Sequence, residues 1–183
     1  MNSIYVFSGP CGCGKSTLAD AYAEHLVARC GKMQVYVIHG DDFHAGFVET
    51  TRPVGAGCPG FLFWEDILRF NWSCLLSVAG MALARGLDVI IDYVVEDELP
   101  LLRRLAREHG AQLHYVVLTA GEEDLRRRLT QRGSTDLIER SLFLKNKLDH
   151  LPDNRGHLYD NSAKTPEQTA EELDMARYTV APD

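Results

Sequence analysis

Short apolar runs and longer helical runs alternate along this chain. Residues 3–8, SIYVFS, are almost wholly apolar and of strand length. Residues 15–30 follow at helical spacing and stop at Gly31, a residue suited to a helix C-terminus. A second apolar run, MQVYVIHG, covers 33–40. Residues 44–60 hold four glycines and two prolines and read as a loop. A long helix is expected over 61–85, closed by Gly86, and a strand, LDVIIDYV, over 87–94. Then come a helix ending at Gly110, a strand over 112–120 and a helix ending at Gly133. Residues 135–147 are helical in pattern, and GHLYDNS at 156–162 is a weaker fifth strand. The last helix, TPEQTAEELDMA, opens with Thr165 as cap, Pro166 at the first position and Gln168 three residues after the cap.

Strands that alternate with helices predict a parallel sheet with right-handed crossovers. Continuously apolar strands such as VIID and YVVL fit a sheet covered on both faces. No repeat, low-complexity tract or linker divides the chain, so 1–183 reads as a single α/β domain.

Composition adds exclusions. The 183 residues are 45% hydrophobic and 25% charged, ordinary for a globular protein. A net charge of -7 disfavours sequence-independent nucleic-acid binding and contact with anionic membranes. The most apolar long stretch, 61–84, carries Glu65, Asp66, Arg69 and Asn71, too polar a load for a membrane span; it reads as a buried helix. Five scattered cysteines and no apolar leader fit reduced thiols in the cytoplasm. Cys11-Gly12-Cys13 has no second ligand pair at zinc spacing.

The chemistry lies in VFSGPCGCGKSTLADAY, residues 6–22. Gly9-x-x-x-x-Gly14-Lys15-Ser16 is a complete phosphate-binding loop pattern, with a strand before it and a helix after it. The glycines let the backbone of Gly9, Cys11, Gly12, Cys13 and Gly14 wrap with its N–H groups turned inward. The helix that follows adds the positive end of its dipole. Lys15 supplies a mobile cation for the outer phosphates, Ser16 a hydroxyl for Mg2+, and Thr17 backs the helix start. The competing reading, a chance glycine-rich turn, does not account for the strand and helix on either side.

With this motif in place, the chain resembles the small P-loop kinases of the shikimate kinase, gluconate kinase and chloramphenicol phosphotransferase kind, related to adenylate kinases. The resemblance covers nearly the whole chain in order and size. It implies a three-layer P-loop fold: a five-stranded parallel sheet ordered 2-3-1-4-5 with helices on both faces. It also implies transfer of the γ-phosphate of ATP, with Mg2+, to a hydroxyl of a small molecule such as a metabolite, nucleoside or antibiotic.

On the acceptor side, VIHGDDFHAGF sets Asp41, Asp42 and His44 just past the second strand, at the edge where open α/β sheets bind ligands. Transfer to an alcohol needs a carboxylate to take or orient the hydroxyl proton. The resemblance puts Asp41 in that role, with Asp42 second; His44 is a pocket-lining residue or a surface loop residue. Asp92 ends the third strand and suits a water-mediated Mg2+ contact or a contact to the acceptor. Residues 44–66 are the expected acceptor loop. Within it, Arg52 is a candidate for holding an anionic group or is an exposed loop charge. Phe61, Phe63 and Trp64 are pocket-wall candidates, although aromatics at a helix start are more often core.

On the nucleotide side, Arg128 and Arg132 are four apart and share a helix face. The resemblance implies that Arg128 packs on adenine, that Arg132 reaches the phosphates from a short lid at 131–137, and that Asn161, Ser162 and Ala163 line the base site; Arg140 is a substitute for Arg132. The opposing reading of these arginines is a solvated basic face paired with Glu122, Glu123 and Asp124.

Two other function classes fit less well. A nucleotide-binding regulatory or resistance protein, or an NTP hydrolase, would dispense with the acceptor, but no motif marks a water-positioning glutamine or glutamate. A nucleic-acid end kinase conflicts with the acidity. A monomer and a homodimer are equally compatible with the sequence.

Overall fold

Five parallel strands form the centre of the molecule, and helices cover both sides. The computed structural model describes residues 1–48, 60–162 and 164–181. The strands are β1 (Ser3–Ser8), β2 (Val35–His39), β3 (Asp88–Asp92), β4 (Gln112–Thr119) and β5 (Leu158–Asp160). Their order across the sheet is β2-β3-β1-β4-β5, and every pairing is parallel. The helices are α1 (Lys15–Ala28), α2 (Gly40–Ala45), α3 (Trp64–Leu83), α4 (Leu99–His109), α5 (Glu122–Arg132), α6 (Ile138–His150) and α7 (Pro166–Glu172).

Side chains on a strand alternate between faces, and the core divides accordingly. Ile4, Val6, Val89 and Ile91 pack against Trp72 and Leu75 of α3 and Leu102 of α4. Tyr5, Phe7 and Ile90 face the other way, against Leu18 and Tyr22 of α1 and Ala170 of α7. β1 and β3 are buried along their whole length, which explains the apolar runs at 4–7 and 89–91.

The order and the parallel pairing are those expected, while several element bounds differ. β2 stops at His39, and Gly40 opens a short helix, so Asp41, Asp42 and His44 sit on α2 and not on an open loop. The expected helix at 61–85 begins at Trp64, because Phe63 is extended. That helix is not buried all round: Ile67, Trp72, Leu75 and Ala79 face the core, while Trp64, Phe70 and Met81 are exposed. Alternating faces at helical spacing place its charged residues on the solvent side. The last helix ends at Glu172, and Met175–Tyr178 forms a separate 3-10 turn. Its start is as expected: Thr165 and Gln168 exchange side chain-to-backbone hydrogen bonds of 3.0 and 3.2 Å in a capping box. Among the described residues, no helix is long and apolar enough to cross a membrane.

Candidate active site

Residues 9–14 leave β1 and enter α1 through a turn that only glycine fits at three points. Gly9, Gly12 and Gly14 have φ of 140, 77 and 95°. A Cβ on Gly9 would lie 2.4 Å from the Leu118 carbonyl oxygen, so the loop presses directly on β4. The loop is then braced from outside. Ser141 Oγ of α6 donates to the Cys11 carbonyl at 2.7 Å. Asn161 Nδ2 donates to the Cys13 carbonyl at 2.7 Å, and Arg128 Nη1 donates to the same oxygen at 3.4 Å. Those bonds hold the Cys11 and Cys13 carbonyls, while within the loop the Cys13 N–H donates to the Pro10 carbonyl at 3.3 Å. Lys15 Nζ folds back onto the Pro10 carbonyl at 3.1 Å. Cys13 is fully buried, and burial pushes its thiol above the ordinary range, so it acts in packing.

A cavity of about 670 Å3 opens over this loop. Cys11 through Thr17 form its floor; Asp41 and Val94 stand at one end, and Asn161 and Lys164 at the other. Arg128 and Arg132 line it from α5. The fold thus brings Lys15, Asp41, Arg128, Arg132 and Asn161 to a single cavity, although they lie far apart in sequence.

Other candidates fall elsewhere. Asp42 is exposed and does not line the cavity. His44 is half-buried, does not line the cavity and meets Trp64 edge-on at 5.2 Å. Phe63 and Trp64 are exposed on this side and not in the core. Arg52 lies outside the described residues, as does Ala163. Arg128, expected to pack on adenine, donates to the carbonyls of Cys13, Asn161 and Ser162 and so ties the phosphate loop to the segment after β5. Arg140 pairs with Glu96 at 2.9 Å. Arg127 pairs with Asp124.

Asp92 is buried at the end of β3. Burial raises its carboxyl above the ordinary range; a hydrogen bond with Ser16 and the nearby charges of His39 and Lys15 oppose that rise. Ser16 and Asp92 offer oxygen donors, the type a hard divalent cation takes. No group of three or more His, Cys, Asp or Glu that could hold a metal occurs among the described residues. The protein therefore supplies a partial shell, which fits a cation that arrives on a phosphate ligand.

Several lining or bracing residues carry no sequence signal. Lys164, Pro166 and Thr169 close the far end of the cavity, and Ser141 holds the loop from α6. His39 was hidden as the polar end of an apolar run. Only the pairing of β2 with β3, which sets it opposite Asp92, reveals its contact.

This combination defines a P-loop nucleotide-binding fold. The chain belongs to the AAA domain family, whose model matches residues 4–149. A comparison with curated protein sequences gives no match. Among solved structures, the APS kinase of Mycobacterium tuberculosis, in complex with AMPPNP and APS, is 18% identical, with 94% of this chain and 95% of that chain covered and a TM-score of 0.68. A gluconokinase from Sinorhizobium meliloti 1021 is 24% identical over 97% and 91%, with a TM-score of 0.56. The Deinococcus radiodurans tunicamycin resistance protein is 18% identical over 94% and 93%, with a TM-score of 0.63. The chain therefore has the fold of the small P-loop kinases.

Proposed function

We propose that the protein is an ATP-dependent kinase that transfers the γ-phosphate to a hydroxyl of a small molecule. One observation carries the reading: Asp41 opens onto the same cavity as Lys15 and the phosphate loop. The loop's N–H groups and the α1 N-terminus bind the phosphates. Lys15 exchanges its contact with the Pro10 carbonyl for the outer phosphates. Ser16 and Asp92 are the residues that would hold Mg2+, which supplies charge neutralisation at the phosphates when bound.

Asp41 orients the acceptor hydroxyl and takes its proton as the oxygen attacks the γ-phosphorus. The bond to the bridging oxygen breaks, and ADP leaves with the electron pair. Arg132, unpaired by any described carboxylate, offsets the charge that grows on the leaving oxygen. Asp42, which does not line the cavity, is the weaker candidate for the base. The acceptor is a metabolite, nucleoside or antibiotic, and the reaction needs no nucleic acid.

ADP release is the test, measured with ATP and Mg2+ against a panel of hydroxyl compounds, with Lys15→Ala as the blank. A compound that raises turnover well above the acceptor-free rate, in a Lys15-dependent way, supports the reading. With that compound, Asp41→Ala is expected to lower kcat by about 10²–10⁴-fold. Unchanged transfer in Asp41→Ala would sink the assignment of the base.

A further inference from the structure

At the ends of β2 and β3 lies one contact that the transfer reading above does not use. His39 ends β2 and lies in register with Asp92 at the end of β3. Its Nδ1 is 3.1 Å from Asp92 Oδ1, and its Nε2 is 3.3 Å from Asp20 Oδ1. Asp20 follows Ser16 by four residues on α1, so both project from the same helix face. The imidazole therefore spans two strand ends and the face of α1 that also carries Ser16.

Asp92 needs such a partner. Its side chain is only 4% exposed, while Asp20 on the far side of the ring is 63% exposed. Besides the bond with Ser16, the ring nitrogen of His39 restrains rotation of this buried carboxylate about its last torsion. A ring nitrogen on Oδ1 fixes the carboxylate plane and leaves Oδ2 as the other acceptor.

We infer that His39 is a positioning residue that orients the Asp92 carboxylate toward the cation side of the phosphate site. This rests on the nucleotide and Mg2+ reading proposed above. His39 itself touches no phosphate: it does not line the cavity. Its role is that of an outer partner to a cation-facing group, a kind of contact whose loss typically weakens metal affinity about 10–100-fold.

The test uses the full chain and reads binding, not turnover. The affinity for a fluorescent mant derivative of AMPPNP is measured in EDTA and again in saturating Mg2+. The ratio of the two is the tightening due to the cation. Wild type is compared with His39→Ala, His39→Asn and His39→Gln. The asparagine amide reproduces the Nδ1 position that faces Asp92; the glutamine amide reproduces the Nε2 position that faces Asp20. The expected result is a tightening about tenfold smaller in His39→Ala and His39→Gln, largely restored in His39→Asn, with binding in EDTA unchanged in all three.

An unaltered tightening in His39→Ala overturns the inference. So does equal rescue by asparagine and glutamine, or a parallel loss of binding in EDTA, which would make His39 a structural strut. Wild type that binds in EDTA but does not tighten with Mg2+ leaves the P-loop reading standing and removes this one. Wild type that binds no nucleotide at all removes both.

Discussion

The Gly40 backbone lies against the ring of Tyr93 so closely that a Cβ on Gly40 would fall 2.4 Å from Cγ and Cδ2 of that ring. Tyr93 is itself anchored, since Asn71 Nδ2 of α3 donates to its hydroxyl at 3.3 Å and Trp72 meets its face edge-on. The ring cannot swing aside, so α2 starts where Gly40 permits. This contact sets the direction of Asp41, the next residue. Gly40→Ala is therefore expected to cost about 1–3 kcal/mol of stability through overpacking. It should also lower kcat more than it raises KM for ATP, because Asp41 moves and the phosphate loop does not. Denaturant unfolding and steady-state kinetics on the soluble variant check both parts.

Asn161 and Cys13 form the second such joint. The amide of Asn161 is buried, and its Nδ2 donates to the loop carbonyl at 2.7 Å. Removing one partner of a buried hydrogen bond costs about 1–3 kcal/mol. Asn161→Ala is expected to loosen the loop and raise the Kd for ATP by about tenfold, which corresponds to about 1.4 kcal/mol. Arg128 still holds the same carbonyl, so the loop is weakened and not lost. Isothermal titration with AMPPNP measures the change; an unaltered Kd would show that Arg128 alone holds the loop.

The way these joints arise shows what could be read from the sequence. Gly9, Gly14, Lys15 and Ser16 act through local backbone geometry, and local geometry leaves a fixed spacing in the chain. The alternation of apolar runs with helices likewise carried the parallel sheet, because the middles of β1 and β3 are buried on both faces and are apolar, with polar residues only at the strand ends. The strand order came from the resemblance to small kinases, and the structure has that order. Gly40 was legible only as the end of the second strand, since its partner Tyr93 lies just past β3, far away in sequence. Asn161, Ser141 and His39 act on residues that are distant in sequence or on a neighbouring strand, and nothing in their local pattern marks this. The exposed side of α3 was misread because a run rich in Leu, Phe and Trp looks buried until the face of each residue is known.

Asp92 carries a conflict between stability and use. Burial raises its folded-state carboxyl above the ordinary 3.8. A raised folded value means that stability is fully present below the unfolded value and is lost as pH rises through the folded one. At neutral pH the ionised carboxylate thus weighs against folding when no cation is present. Asp92→Asn keeps an acceptor for His39 and removes the charge. It is expected to raise stability by roughly 0.5–2 kcal/mol at pH 7 in EDTA, and to lose most transfer activity. The gain should disappear when melting is repeated near pH 3, where both forms are neutral. A lower melting temperature for the variant at pH 7 would mean that pairing with His39 outweighs burial.

His114 gives the opposite sign on β4. It is buried in β4, stacked on Tyr5 with ring centres 5.0 Å apart, and its Nδ1 lies 2.9 Å from the Met175 carbonyl oxygen. Burial lowers its pKa below the ordinary 6.5, and the bond to the Met175 carbonyl only partly opposes this. In the window below 6.5 the unfolded chain binds a proton that the folded chain refuses, so stability falls as pH falls. The contribution is complete above the unfolded value and is lost as pH drops through the folded one. His114→Asn keeps a donor for the Met175 carbonyl but cannot take a proton in this range. Its stability is expected to be lower at pH 8, from lost stacking on Tyr5, and to decline less steeply between pH 7 and 5. Urea unfolding at several pH values measures both slopes. Parallel slopes for wild type and variant would remove His114 as the source of acid sensitivity.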